Sequence, residues 1–464
     1  VTYQEALDYI HSRTQFGIKL GLKRMRRLLE LSGNPHQKFP VIHVAGTNGK
    51  GSVTAIITSV LTSAGYKVGR FTSPHLSSYT ERFSINNRDI TEDRLGTLLS
   101  GLIRVLDKTA GDPCYGEPTE FEVGTLLALE YFAEEEVDIA VLEVGMGGRL
   151  DSTNVVNPLV CGITQIALDH REFLGGTLAE IAWEKAGIIK ANRPVVTGVQ
   201  EETAYSALKK VAAKVKAPFY SVGKDFSYQV LGVGADGTEL ELRQNPKGSA
   251  GPDGKVLSRP QSEEGNPVKT RLGLIGRHQA ANAALAFGIL SVIKEKGFYW
   301  EKSHLFSGFA EVRWPGRLEY FPGRPGILLD GAHNPHGCSA LYQALMEVFS
   351  TVQIYLVMGI LNNRPFREMV SILAPRITQA FTTRVPDPKS ADPREIAAEF
   401  RNHGVEAVDC VEPRAALQQA FDVVARKENG LLLITGSLYL IGALRPEVLS
   451  LKRPVKPGGP LFVV

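Results

Sequence analysis

The sequence predicts an α/β protein with two domains. The first is an N-terminal P-loop-type nucleotide-binding domain on a mostly parallel sheet; the second is a smaller, Rossmann-like C-terminal domain. Three observations predict this. Short continuous apolar runs alternate with helical segments, as parallel strands buried on both faces require. The runs fall into two series, one early and one late in the chain. A glycine-rich turn, GTNGKGS (46–52), joins a strand-like run to a helical one. At 464 residues the chain is long enough for two domains, expected at 1–298 and 299–464.

KFPVIHVAG (38–46) reads as a buried strand, and VTAIITSVLTSAG (53–65) as a helix ended by Gly65. The turn between them departs from the G-x-x-x-x-G-K-[ST] spacing, because Val44 and Gly51 occupy its first and last positions. A phosphate cradle nevertheless needs only converging backbone N–H groups, a tight turn, a lysine and a helix start. Gly46, Gly49 and Gly51 permit the turn, and Lys50 supplies the charge. The bland alternative is an ordinary Gly-Asn turn; the strand–loop–helix context favours the cradle.

VDIAVLEVG (137–145) is the next strand, and Glu143 stands at its end, where a carboxylate can hold Mg²⁺ or simply face solvent. Gly145, Gly147 and Gly148 allow close approach of a ligand, and Asp151 and Asn154 follow on the same loop. LVCGITQIAL (159–168) precedes Asp169-His170, which puts His170 at the same sheet edge as Glu143, as a structural histidine or a second ligand. Lys185 adjoins Glu184, which by spacing alone reads as a surface ion pair. PVVTGV (194–199) is a further strand. FSYQVLGVGADGTELELRQ (226–244) reads as a hairpin turning at Asp236-Gly237, and 245–269 as a mobile surface insertion rich in Gly, Pro and charge. After 298, ILLDGAH (327–333), QIYLVMGI (353–360) and GLLLITGS (430–437) form the second series. No internal repeat is evident.

Bulk properties exclude some classes. Lys plus Arg number 52 against 49 for Asp plus Glu, so net charge gives no sign of a nucleic-acid binder. The four cysteines (114, 161, 338 and 410) form no C-x-x-C pair, which suits a reducing compartment. The amphipathic start VTYQEALDYIHS is unlike a signal peptide, and no run reaches the ~20 apolar residues of a membrane span. A cytoplasmic monomer is expected.

Further along, the motifs become specific. GTNGKGS (46–52), TSPHL (72–76), ERF (81–83), TEFE (119–122), LEVGMGGRLDSTN (142–154), LDH (168–170), EKAGIIK (184–190), HQAANAALA (278–286), WPGRLE (314–319), DGAHNPHG (330–337) and ITGSLYL (434–440) occur in one order along nearly the whole chain. In these the sequence resembles the folylpolyglutamate synthases, including the forms that also act as dihydrofolate synthases, within the Mur-ligase superfamily. The resemblance implies roles by position. Gly49, Lys50, Gly51 and Ser52 would cradle the phosphates of ATP, and Asn282 would contact its adenine. Ser73, Glu143 and His170 would hold Mg²⁺. Lys185 would be carbamylated and so become an anion able to hold a second Mg²⁺. Arg317 and Asp330 would close over the phosphates and ribose, with His333 in the same motif. Thr119, Glu120, Phe121 and Glu122, with Leu150, Asp151 and Ser152, would line the pterin site. Lys50, His170 and Lys185 would be the catalytic residues.

The implied reaction is an ATP-dependent joining of L-glutamate to folates through an acyl phosphate, and of glutamate to dihydropteroate as well. At Asn362, Asn363 and Arg364 the sequence departs from the family's acidic-Lys-acidic triplet. Three other readings compete. One is a folate-only synthase or a ligase acting on muramyl peptides. A P-loop kinase or NTPase would explain GTNGKGS and Glu143 but not DGAHN or WPGRLE. A nucleotide-binding switch would need no closing domain.

Overall fold

The computed structural model describes residues 1–17, 19–245 and 266–451. Most of the expected insertion, 246–265, lies outside the described residues. The chain divides into two compact units. The first comprises Val1–Leu231, Glu239–Gly273 and Gln279–Val312; the second comprises Gly232–Thr238, Leu274–His278 and Arg313 onward. The expected division at 298 precedes the helix Lys302–Glu311, which lies with the first unit. The reason is packing: a Cβ on Gly308 would come 2.5 Å from Val60 Cα, so this glycine lets the helix lie directly on the helix Lys50–Ser63.

The first unit carries an eight-stranded sheet of β1 (Val41–Ala45), β2 (Val68–Phe71), β3 (Phe83–Ile85), β4 (Arg88–Asp89), β5 (Ile139–Glu143), β6 (Val160–Ile163), β7 (Val195–Thr197) and β8 (Phe219–Ser221). Its order is β4-β3-β2-β5-β1-β6-β7-β8. β2, β5, β1, β6, β7 and β8 run parallel; β3 and β4 extend the sheet in antiparallel pairings. Every residue of β1, β2, β5 and β6 is buried, as expected of strands covered on both faces. One apolar core joins Phe71, Leu142 and Phe132, and another joins Ile163, Ile181 and Val195. The hairpin forms as β9 (Phe226–Gly234) and β10 (Gly237–Gln244), joined by Ala235-Asp236, with β11 (Val268–Leu272) completing a three-stranded sheet.

The second unit carries a six-stranded sheet of β12 (Glu319–Phe321), β13 (Gly326–Leu329), β14 (Gln353–Met358), β15 (Gln379–Thr382), β16 (Glu406–Asp409) and β17 (Gly430–Thr435). Its order is β12-β13-β17-β14-β15-β16. Only the β12–β13 pairing is antiparallel, as the Rossmann-like expectation requires of the rest. Among the described residues no helix is long and apolar enough to cross a membrane.

Candidate active site

β1 lies between β5 and β6, so the chain leaves their three carboxyl ends side by side, where open α/β sheets bind ligands. The glycine loop follows β1. At Gly46 (φ 149°) a Cβ would lie 1.7 Å from Thr164 Oγ1 on the chain after β6. At Gly49 (φ 91°) it would lie 2.3 Å from Asn282 Oδ1. The loop is therefore seated against its neighbours in a way only glycine permits, and Asn282 touches it. Asn282 is held by donating its Nδ2 hydrogen to Gln279 Oε1 (3.0 Å). Lys50 opens the helix Lys50–Ser63, and its Nζ donates to Thr47 O (3.2 Å). The first turn has no acidic residue, and Ser52 is buried within it. A cation at the positive end of a helix dipole is unfavourable alone and favourable with an anion between them.

Glu143 ends β5 opposite Val44 of β1 and is buried. Ser73 N donates to its Oε2 (3.3 Å). His170 adopts a left-handed backbone (φ 49°) at the start of the turn Arg171–Leu174. Its backbone N–H donates to Asp169 Oδ1 (2.9 Å), and its Nε2 lies 3.9 Å from Asp169 Oδ2. Lys185 is not at the surface. It is 4% exposed, and its Nζ donates to Gly46 O (2.8 Å) in the glycine loop. Glu184 turns instead toward Arg149 (3.7 Å). Burial, and next the Lys50 cation, push the Lys185 amine down to about 7, against the opposing pull of Asp169 and Asp151.

Among the described residues no group of three or more His, Cys, Asp or Glu side chains could by itself hold a metal ion. A single buried carboxylate at a strand end, Glu143, is compatible with Mg²⁺, which keeps several waters and binds through one or two carboxylates plus substrate phosphates.

The segment 119–122 meets the loop after β5. A Cβ on Gly145 would lie 2.5 Å from Phe121 Cζ, so the ring sits directly on that glycine. Thr119 caps the helix Glu120–Glu134, and its N and Oγ1 donate to Glu122 Oε2 (2.8 and 3.0 Å). That oxygen also accepts from Arg24 Nε (2.7 Å), while Glu120 pairs with Arg82 (3.2 Å). Leu150 is 39% exposed, and Asp151 and Ser152 are buried. The Asp151 carboxylate accepts from Met146 N (2.9 Å), Thr153 N (3.0 Å) and Thr153 Oγ1 (2.5 Å), while burial holds its pKa above the usual carboxylate range. Arg24 and Arg82 escape sequence reasoning: ERF flags Arg82 only as part of a motif, and Arg24 sits in an ordinary basic run.

In the second unit, Asp330 directly follows β13. Its Oδ2 accepts from Leu318 N and its Oδ1 from Ala332 N (2.9 Å each). Burial raises its pKa, while the nearby Arg317 cation opposes that. Arg317 Nη1 would lie 2.5 Å from a Cβ on Gly331, so it too crosses a glycine. His333 Nδ1 is 2.8 Å from Gly331 O. Arg317, Asp330 and His333 thus gather at the end of one strand.

Comparison with known proteins bears on the fold and the family. Residues 44–290 match the Mur ligase middle domain, and 316–438 match the Mur ligase glutamate ligase domain. The dihydrofolate synthase/folylpolyglutamate synthase of Bacillus subtilis is 36% identical over 96% of this chain and 99% of its own. A Mycobacterium tuberculosis folylpolyglutamate synthase solved with ADP and AMPPCP superposes with a TM-score of 0.85 at 30% identity, over 96% of this chain and 98% of that one. The E. coli protein solved with DHPP and ADP gives a TM-score of 0.82 at 26% identity, over 98% and 99% of the two chains. With both domains matched in order and a relative aligned end to end, the chain belongs to the folylpolyglutamate synthase/dihydrofolate synthase family of the Mur ligase superfamily.

Proposed function

We propose that this protein is an ATP-dependent amide ligase that joins L-glutamate to folates and also to dihydropteroate. The observation that carries the reading is the placement of Lys50, on an anion-seeking helix start, beside a loop whose floor is held by buried Lys185, with Glu143 on the neighbouring strand. The relatives' names support the substrate class: the B. subtilis protein is named for both activities, and the E. coli protein was solved with DHPP and ADP.

The chemistry requires activation of a carboxylate. A carboxylate oxygen attacks the γ-phosphorus of ATP, the bond to the ADP oxygen breaks, and an acyl phosphate results. The amine of glutamate then attacks the acyl carbon, phosphate leaves, and the amine proton is lost. Gly49, Lys50, Gly51 and Ser52 would orient the phosphates and offset the charge that builds on the transferring group. Asn282 would contact adenine, and Arg317, Asp330 and His333 would serve the phosphates and ribose. Ser73, Glu143, His170 and a carbamylated Lys185 would hold Mg²⁺. When bound, the ion supplies positive charge to the phosphate oxygens. Thr119 to Glu122 and Leu150 to Ser152 would receive the pterin. The protein is proposed to act as a cytoplasmic monomer.

Two outcomes test these assignments. Glu143→Gln and His170→Ala should each raise the Mg²⁺ concentration for half-maximal activity by about tenfold, because loss of one ligand loosens an ion that still keeps its waters. A Mg²⁺ titration with unchanged midpoints in both would show the ion lies elsewhere. Thr119→Ala and Asp151→Ala should depress ligation of dihydropteroate more than ligation of tetrahydrofolate. Equal losses in the two assays would remove the separate pterin site.

A further inference from the structure

His43 occupies the middle of β1, opposite Leu142 on one side and Cys161 on the other, and is completely buried. A histidine there is unexpected. A fully covered parallel strand favours Val, Ile or Leu, and burying a polar ring is costly unless it is hydrogen-bonded. Its Nδ1 is buried without a hydrogen-bond partner. The ring's polar contact is therefore at the other nitrogen: Nε2 lies 2.8 Å from Thr153 Oγ1.

The directions of these bonds follow from donor inventory. Met146 N–H and Thr153 N–H both donate to the Asp151 carboxylate, so it is built in as an acceptor. The single Thr153 hydroxyl hydrogen must then point to Asp151 Oδ1, at 2.5 Å. Thr153 Oγ1 can only accept from His43, which fixes the hydrogen on Nε2. Burial holds His43 neutral, down to about 3. The result is a one-way chain, His43 Nε2–H to Thr153 O–H to Asp151, running from the central strand into the loop. Hydrogen bonds in such a chain polarise one another.

We infer that His43 is a positioning residue that, through Thr153 and Asp151, anchors the loop 145–152 to β1 in the conformation that receives the pterin-bearing substrate. The inference about substrate rests on the proposed function; the anchoring does not, and the test separates them. Glutamine can place an N–H where Nε2 stands, whereas asparagine reaches only to Nδ1. Amide hydrogen exchange of the unliganded protein should quicken about tenfold at 145–155 in His43→Asn and in Thr153→Val, with the rest of the first sheet unchanged and with near-parental exchange in His43→Gln. The double variant His43→Asn/Thr153→Val should add nothing to either single variant. In ligation assays the KM for the pterin substrate should rise about tenfold in His43→Asn, with the KM for ATP unchanged. Parental exchange at 145–155 in both single variants, faster exchange throughout the sheet in His43→Gln as in His43→Asn, or additive effects in the double variant would overturn the anchoring. Selective loop exchange with equal shifts in both KM values would retain the anchor and overturn its link to the substrate.

Discussion

Lys50→Ala is expected to lower kcat by about 10³-fold, ~4 kcal/mol of transition-state stabilisation, while leaving the protein folded. The physical reason lies in where the side chain stands. Its ammonium group is held by one carbonyl, Thr47 O, at the start of a helix with no acidic residue in its first turn. The residue is only partly buried at a loop-to-helix junction, so removing its side chain costs little stability. The charge that accumulates on a transferring phosphoryl group would instead lose the cation of the loop. Turnover under saturating ATP, with circular dichroism as a control for folding, checks this. Near-parental turnover would show that the loop does not cradle the reacting phosphate.

Lys185→Ala should cost about 100-fold or more, because it removes both a proposed Mg²⁺ ligand and the bond that holds Gly46 O. Short carboxylic acids that replace the missing carbamate oxygens should restore part of the loss. Carbamylation requires a neutral amine: its lone pair attacks CO₂, an N–C bond forms, and a proton is released. With the amine at about 7 rather than the ordinary 10.5, roughly half is neutral at pH 7 instead of about one part in several thousand. Carbamate occupancy should therefore rise with pH through about 7 and with added bicarbonate. The stability sign is the same. Between about 7 and 10.5 the unfolded lysine binds more protons than the folded one, so stability of the unmodified protein rises with pH across that window and is lowest below it. Mass spectrometry under CO₂ with chemical trapping would detect the modification. An unmodified Lys185 at pH 8 in bicarbonate would rule out the carbamate.

Much of this was legible in the sequence because it rests on local pattern. All seven strands named from apolar runs are interior strands of the two sheets, and strand, glycine turn and helix stand in the expected order around Lys50. The strands that were not legible are short or broken by charge. β2 is four residues long with Arg70 inside it, β4 is two residues long, and β16 reads EAVD. Nothing in such runs separates strand from loop until neighbours supply the ladder. The site shows the same division. Glu143 and Gly49 declare themselves by position at a strand end and a helix start. Lys185 looks like half of a surface ion pair with Glu184, and only the fold shows it turned inward under Gly46 while Glu184 faces Arg149. Arg24, Arg82 and His43 find their partners 98, 38 and 110 residues away, at Glu122, Glu120 and Thr153, and no local spacing encodes such pairings.

The central claim is that one phosphate loop serves glutamate ligation to two acceptors. Its most direct test is a single assay: the protein with ATP, Mg²⁺ and labelled L-glutamate, supplied in turn with tetrahydrofolate, with dihydropteroate and with neither, read by product chromatography and ADP release. The account predicts a glutamylated product from each acceptor, ADP formed one for one with it, and no ADP above background when acceptor or glutamate is omitted. ADP release that needs neither acceptor nor glutamate, with no labelled product from either acceptor, would contradict it.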